Sequence, residues 1–158
     1  MLKGKNVLLS VTGSIAAYKS SFLVRELIKK GANVKVIVTE AALQFVTTIT
    51  LSTLSKNPVY KDFIKNKDTG EWNNHVDLGA WADIFLIAPA TAHTISNLVT
   101  GKADSFFLAT YLSCTAPVFL APAMDLDMFK NQSTQDNIKE LNERGINIIE
   151  PDDGELAS

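Results

Sequence analysis

Short apolar runs punctuate the chain at Val7–Val11, Val34–Val38, Ile84–Ala88 and Val118–Ala121. Each is near-continuous, broken only by Ser10 and Lys35, and rich in Val, Ile and Leu, the pattern of parallel strands covered on both faces. Between the first two, Ser14 to Lys30 sets Ile15, Tyr18, Phe22, Val24, Leu27 and Ile28 close to helical spacing, and Gly31 supplies a stop. This predicts a β-α-β unit. Further helices are predicted at Glu40 to Phe45, Thr50 to Ser55, Thr94 to Thr100, Ser105 to Leu112 and Ser133 to Arg144, the last closed by Gly145 before Ile146–Glu150. The polar, Gly-containing stretch Lys65 to Asn74 reads as a long loop. Strands alternating with helices imply an α/β fold, a doubly wound parallel sheet in a single three-layer domain over residues 1–158. Ligands of such sheets bind beyond the carboxyl ends of the strands, so the residues that follow each strand are the candidates for chemistry.

Composition narrows the setting. With 158 residues, 46% of them hydrophobic, and 15 Lys+Arg against 17 Asp+Glu, the chain suits one domain whose core needs no disulfide or metal staple. Its single cysteine, Cys114, cannot form an intrachain bridge or a Cys-rich zinc site, and the N-terminus lacks the order of a secretory signal. A reducing, cytoplasmic location is expected. No apolar stretch approaches the ~20 residues that cross a bilayer. A formal charge of −2 with pI ≈ 5.6 offers no general attraction to nucleic acid. Neither a membrane nor a nucleic acid is an expected partner.

Gly13 after the first strand permits a tight turn with close backbone approach, and Ser14 offers a hydroxyl beside the unpaired N–H groups of a helix start. These features suit one phosphate rather than a pyrophosphate, because the two further glycines of the dinucleotide fingerprint are missing. Ser14 as a plain N-cap is the competing reading. Thr39 after the second strand is likewise an N-cap or a cofactor contact. Small and hydroxyl side chains in Pro89-Ala90-Thr91-Ala92-His93-Thr94 would let a planar ring approach, unless Pro89 simply initiates a helix. His75 is one of two histidines, able to move a proton or merely solvated. In Ala123-Met124-Asp125-Leu126-Asp127-Met128-Phe129 no further ligand completes a metal set around the two acids. The methionines suit a flat apolar ligand, a subunit contact or core packing. Cys114 has no basic neighbour in sequence and reads as an inert core thiol.

In this order the segments resemble the flavin-containing cysteine decarboxylases, and within them the phosphopantothenoylcysteine decarboxylase branch, over essentially the whole chain. Gly13-Ser14-Ile15-Ala16-Ala17-Tyr18-Lys19 is similar to the FMN-phosphate loop of that family, and His75-Val76-Asp77-Leu78 to its active-site histidine motif. Pro89 to Thr94 is similar to its Pro-Ala-Ser/Thr-Ala-Asn-Thr segment, and Ala121 to Met128 to its Pro-x-Met-Asn-x-x-Met substrate motif. Gly154-Glu155-Leu156-Ala157-Ser158 is similar to the start of its mobile flap.

The resemblance implies a Rossmann-like flavoprotein and an FMN-dependent carboxy-lyase. FMN would oxidise the thiol of 4′-phospho-N-pantothenoylcysteine to a thioaldehyde, and the adjacent carboxylate would leave as carbon dioxide on the way to 4′-phosphopantetheine and coenzyme A. It implies FMN contacts from Gly13, Ser14, Ile15, Thr39, Ala42, Phe45, Pro89, Ala90, Thr91, Ala92 and Thr94, a catalytic His75, and substrate contacts from Ala123, Met124, Asp125 and Met128. It also implies homotrimers or trimer-based dodecamers, with Lys65–Asn74 and Met124–Phe129 as candidate neighbour contacts.

Three positions depart from the pattern: Asp125 and His93 each stand where the family carries Asn, and Ser158 stands at the flap cysteine. A chain stopping there is expected to be the N-terminal part of a bifunctional protein with a phosphopantothenate-cysteine ligase domain. Other flavoproteins of the same fold, a peptidyl-cysteine decarboxylase or a flavin prenyltransferase, and a non-catalytic FMN-binding partner protein are the alternatives.

Overall fold

The computed structural model describes residues 1–151, in which the predicted strands lie parallel and adjacent. The first half of the chain runs β1 (Asn6–Val11), α1 (Ser20–Lys29), β2 (Asn33–Val38), α2 (Thr48–Ser55), β3 (Val59–Tyr60), β4 (Ile64–Asn66), β5 (Glu71–Trp72) and α3 (His75–Trp81). The second runs β6 (Ile84–Ala90), α4 (Ala92–Thr100), α5 (Phe106–Ser113), β7 (Val118–Pro122), α6 (Leu126–Lys130), α7 (Gln132–Glu143) and β8 (Asn147–Ile148). One six-stranded sheet has the order β3-β2-β1-β6-β7-β8, with every recorded pairing parallel. The chain winds outward from β1 to one edge, returns, and winds from β6 to the other, so the doubly wound α/β expectation holds.

Continuous apolar strands follow from this layering, because both faces of β1, β2 and β6 need apolar cover. Val7, Leu9 and Val11 face one core with Val34, Val36 and Val38, closed by Val24 and Leu27 of α1 and Leu51 of α2. Leu8, Ile37, Phe85 and Ile87 face the other, closed by Leu78 of α3, Ile95 and Leu98 of α4, Phe106–Leu108 of α5 and Leu141 of α7.

The structure differs from expectation where elements are short. Ser14 to Lys30 is not one helix: a 3-10 turn over Ile15–Lys19 precedes α1. Ile15, Tyr18 and Phe22 are therefore not core residues but 45%, 45% and 64% exposed, while Ala17, Ser20, Val24 and Leu27 are buried. A 3-10 turn advances about 120° per residue against about 100° in an α-helix, so a single period carried through the junction selects the wrong face. Glu40 to Phe45 is likewise only a 3-10 turn, Ala41–Gln44.

Lys65 to Asn74 is no plain loop, since it holds most of the β4–β5 hairpin, with Ile64 opposite Trp72 and Asn66 opposite Glu71. Strands of two and three residues leave no period to detect. The helix start at His75 carried a legible signal, because Asn74 Oδ1 accepts from the N–H groups of Val76 (3.0 Å) and Asp77 (3.1 Å). Pro89 does not initiate a helix: it lies inside β6, and Thr91 caps α4 by accepting from Thr94 N at 3.0 Å. The expected flap at residues 154–158 lies outside the described residues. Among the described residues no group of three or more His, Cys, Asp or Glu gathers into a metal cluster, and no helix is long and apolar enough to cross a membrane.

Candidate active site

Strand order reverses between β1 and β6, and the loops leaving these two neighbours diverge to open a crevice. A single buried hydroxyl ties the loops together. Thr12 Oγ1 donates to Pro89 O at 2.6 Å and accepts from Thr91 N at 3.2 Å. Replacing Thr12 by Val removes both contacts and leaves the partners half-satisfied. The expected loss is about 1–3 kcal/mol of stability, read as a lower urea midpoint at unchanged slope.

The crevice encloses about 680 Å3 and is lined by Gly13, Thr39, Thr91 and Thr94 among the expected cofactor residues. Gly13 is dictated by packing: a Cβ there would overlap Ala41 Cβ and come within 3.1 Å of the Ala41 carbonyl carbon. Ser14 is an N-cap, its Oγ accepting from Ala16 N at 3.1 Å, yet its O–H stays free to donate outward. Ser14 N and Ala17 N bond back within the turn, whereas Gly13 N–H has no acceptor among the described residues. Thr39 Oγ1 accepts from Ala42 N at 3.3 Å, so it too caps while lining the crevice.

Other expected contacts sit differently. Ala42 is buried in the core with α1 and α2 and does not line the crevice; its neighbour Ala41 does, because the 3-10 turn points successive side chains to different sides. Phe45 and Ile15 lie outside the lining with exposed side chains, and Pro89 and Ala90 are buried beneath the loop. Sequence reasoning missed the opposite wall: Asn97, Lys102, Asp104, Ser105, Phe107 and Leu108. These come from α4, the α4–α5 junction and α5 rather than from a strand end, and the Gly101 stop before the Ser105 cap was their only local signal.

These surfaces fit a mononucleotide with a flat ring. The volume lies within the range of small-molecule sites. The backbone donor at Gly13 suits an anion, with the Ser14 hydroxyl beside it but outside the lining, and threonine and alanine side chains share the crevice with an apolar wall of Phe107 and Leu108. A second cavity of about 720 Å3 lies under the hairpin among Lys35, Trp72 and Trp81 and reaches Asn74 and Asp77 at the start of α3.

His75 is the first residue of α3, and its ring meets Phe63 edge-on at 5.6 Å and Phe106 at 6.5 Å. Its Nδ1 is buried without a hydrogen-bond partner. The residue as a whole is half-buried, and an unpaired buried ring nitrogen of this kind is uncommon. One turn of α5 links the two regions, since Phe106 packs on His75 while Ser105, Phe107 and Leu108 line the crevice. The loop after β7 is tied on as well, Ala123 N donating to Ala90 O at 3.0 Å. There Met124 packs against the core, while Asp125 and Met128 are exposed and Asp125 Oδ1 caps α6 through Met128 N at 2.9 Å.

Cys114 takes no part in the crevice lining; its thiol donates to Gly79 O at 3.5 Å, and burial pushes its pKa up, against a smaller lowering by the Ala116 backbone. Because the folded value is raised, the protonated thiol is favoured. Its contribution to stability is complete below the free-thiol range and is lost as pH climbs through the folded value. Alkylation by iodoacetamide near neutral pH is expected to run about tenfold slower than for the urea-unfolded chain.

An open α/β sheet with a mononucleotide-sized crevice at its switch point defines a nucleotide-binding class of fold. The family model "Flavoprotein" matches residues 1–158, and the chain belongs to that family. It is 44% identical over 157 residues to the coenzyme A biosynthesis bifunctional protein CoaBC of Bacillus subtilis (strain 168), covering 99% of this chain and 38% of that protein. It is 55% identical over 113 residues to a cysteine/cysteine sulfinic acid decarboxylase of an unknown prokaryotic organism, covering 72% of this chain and 31% of that one. The chain thus spans well under half of these relatives. Among solved structures, a cysteine-to-serine mutant of PPC decarboxylase complexed with pantothenoylaminoethenethiol superposes with a TM-score of 0.81 at 29% identity, over 98% of this chain and 86% of that one.

Proposed function

We propose that this chain is an FMN-dependent decarboxylase acting on 4′-phospho-N-pantothenoylcysteine. The observation that carries the reading is the pairing, across one turn of α5, of the switch-point crevice with a histidine whose ring nitrogen is buried and unpaired. Family membership and the likeness of nearly the whole chain to 38% of the bifunctional coenzyme A biosynthesis protein support it. FMN, when bound, supplies the two-electron oxidant for the substrate thiol.

The chain's own residues bind, orient and move protons. Gly13 N–H and the neighbouring Ser14 hydroxyl would hold the FMN phosphate, Thr39, Thr91 and Thr94 would line its site, and Phe107 and Leu108 would supply the apolar wall. The His75 imidazole takes the proton from the substrate sulfur, and the rings of Phe63 and Phe106, edge-on to it, hold its orientation. Asp125, Met124, Met128 and Ala123 grip the substrate on the β7 side.

A second reading concerns the substrate's nitrogen. Asp125 presents a carboxylate, of which Oδ1 caps α6, where the family carries a neutral amide. A carboxylate attracts an ammonium but gains nothing from an acylated nitrogen, which favours a free amino thiol acid such as cysteine. The 55% identical relative carries the name of such an activity. Mass spectrometry of the flavin-loaded protein with each substrate decides between them: carbon dioxide loss from the phosphopantothenoyl substrate supports the first reading, loss from cysteine alone the second, and loss from neither overturns both.

The assembly we propose is a homotrimer or a trimer-based dodecamer in the cytoplasm, in a chain continued by a ligase domain. Ile15, Tyr18 and Phe22 are exposed apolar side chains around the start of α1 that a neighbouring subunit would cover. Light scattering is expected to give at least a trimer, and Phe22→Glu to shift it toward monomer; a wild-type monomer with full flavin occupancy would refute the assembly.

A further inference from the structure

His93 stands in the first turn of α4 on the wall of the crevice, with Asn97 one turn on and Glu40, Lys102 and Asp104 as the charged groups lining the same space. Its Nε2 lies 3.1 Å from Asn97 Nδ2. An amide nitrogen only donates, so Nε2 is the acceptor in this pair. The neutral ring then carries its hydrogen on Nδ1, because the bond made by one ring nitrogen sets the state of the other. The helix holds the two residues at four-residue spacing, where side chains meet, and so fixes the ring's orientation.

We propose that His93, held in the Nδ1–H form by Asn97, is a further ligand-binding residue that donates from Nδ1 to an acceptor atom on the edge of the planar ring in the crevice. The inference rests on the crevice being the flavin site. His93 and Asn97 then act as one unit: Asn97 positions without touching the ligand, and His93 reads it. Thr91 and Thr94, bonded to each other at 3.0 Å and shared between crevice wall and helix cap, keep that first turn of α4 in place.

Two measurements test this. Nitrogen-15 spectra of the imidazole rings, assigned with His93→Gln, are expected to show Nδ1 protonated and Nε2 bare in His93 of the flavin-free protein, and Asn97→Leu to abolish that preference. Quenching of flavin fluorescence is expected to show His93→Phe binding FMN about tenfold more weakly. His93→Asn, which keeps a side-chain N–H at the reach of Nδ1, should stay within about threefold of the parent, and Asn97→Leu should lose about threefold. Riboflavin should lose the same factor as FMN, because the contact is to the ring and not the phosphate. Each variant is exposed or half-exposed, so unfolding midpoints of the flavin-free proteins should match the parent. An Nε2-protonated His93, or unchanged flavin affinity in His93→Phe, overturns this inference and leaves the flavin reading standing. A parent protein that binds neither flavin overturns both.

Discussion

Replacing His75 by asparagine is expected to leave FMN bound while lowering the decarboxylation rate by about 10²–10⁴-fold, the range that a positioned acid-base group supplies. Asparagine keeps a polar side chain of similar reach but cannot exchange a proton near neutrality. Flavin absorbance of the purified variant and trapped carbon dioxide report the two halves separately. Loss of flavin together with activity would place His75 in cofactor binding instead. Stability supplies an independent reading, because Nδ1 is buried without a partner and an unsatisfied group of this kind costs about 1–3 kcal/mol. His75→Phe would complete the edge-on cluster with Phe63 and Phe106, so its unfolding midpoint should equal or exceed that of the parent while turnover disappears. A stabilised but inactive variant is the signature of a residue kept for chemistry.

Gly13→Ala is expected to damage the crevice by a different route. The new methyl would occupy the space of Ala41 Cβ, and the Ala41 backbone lies too close behind it to give way freely. Overpacking of this kind costs about 1–3 kcal/mol. The 3-10 turn Ala41–Gln44 must move, and with it Glu40 and Ala41 on the crevice wall. Flavin affinity is therefore expected to fall by at least about tenfold as the donor at Gly13 N–H shifts from its anion. Urea unfolding of the flavin-free protein and fluorescence titration separate the two effects. Parental values in both would show that the β1 and β2 loops are looser than their packing implies.

Much of the fold was legible because the strands are covered on both faces, so Val7–Val11 and Ile84–Ala88 announce themselves without a partner in view. The hairpin at Ile64–Trp72 was not, since two- and three-residue strands hold no period and draw their order from pairing alone. The candidate site divides in the same way. Gly13, Thr39 and Thr91 lie within two residues of strand ends, with Thr94 in the first turn of α4, and all were found by looking there. Asn97, Lys102, Asp104, Phe107 and Leu108 reach the crevice from α4, α5 and the junction between them, and no local pattern marks a residue as the far wall of a cavity.

By itself the sequence determined the doubly wound class, the strand-end loops and the residues available for chemistry, because burial on both faces and helix capping are local demands written into residue type. Only the tertiary structure decided that Ala41 rather than Ala42 meets the crevice, that Ile15, Tyr18 and Phe22 face outward, and that His75 packs edge-on against Phe63 and Phe106. These are matters of rotation about an element and of contacts between distant segments. They are set when the layers pack, and the hydrophobic pattern of one segment does not contain them.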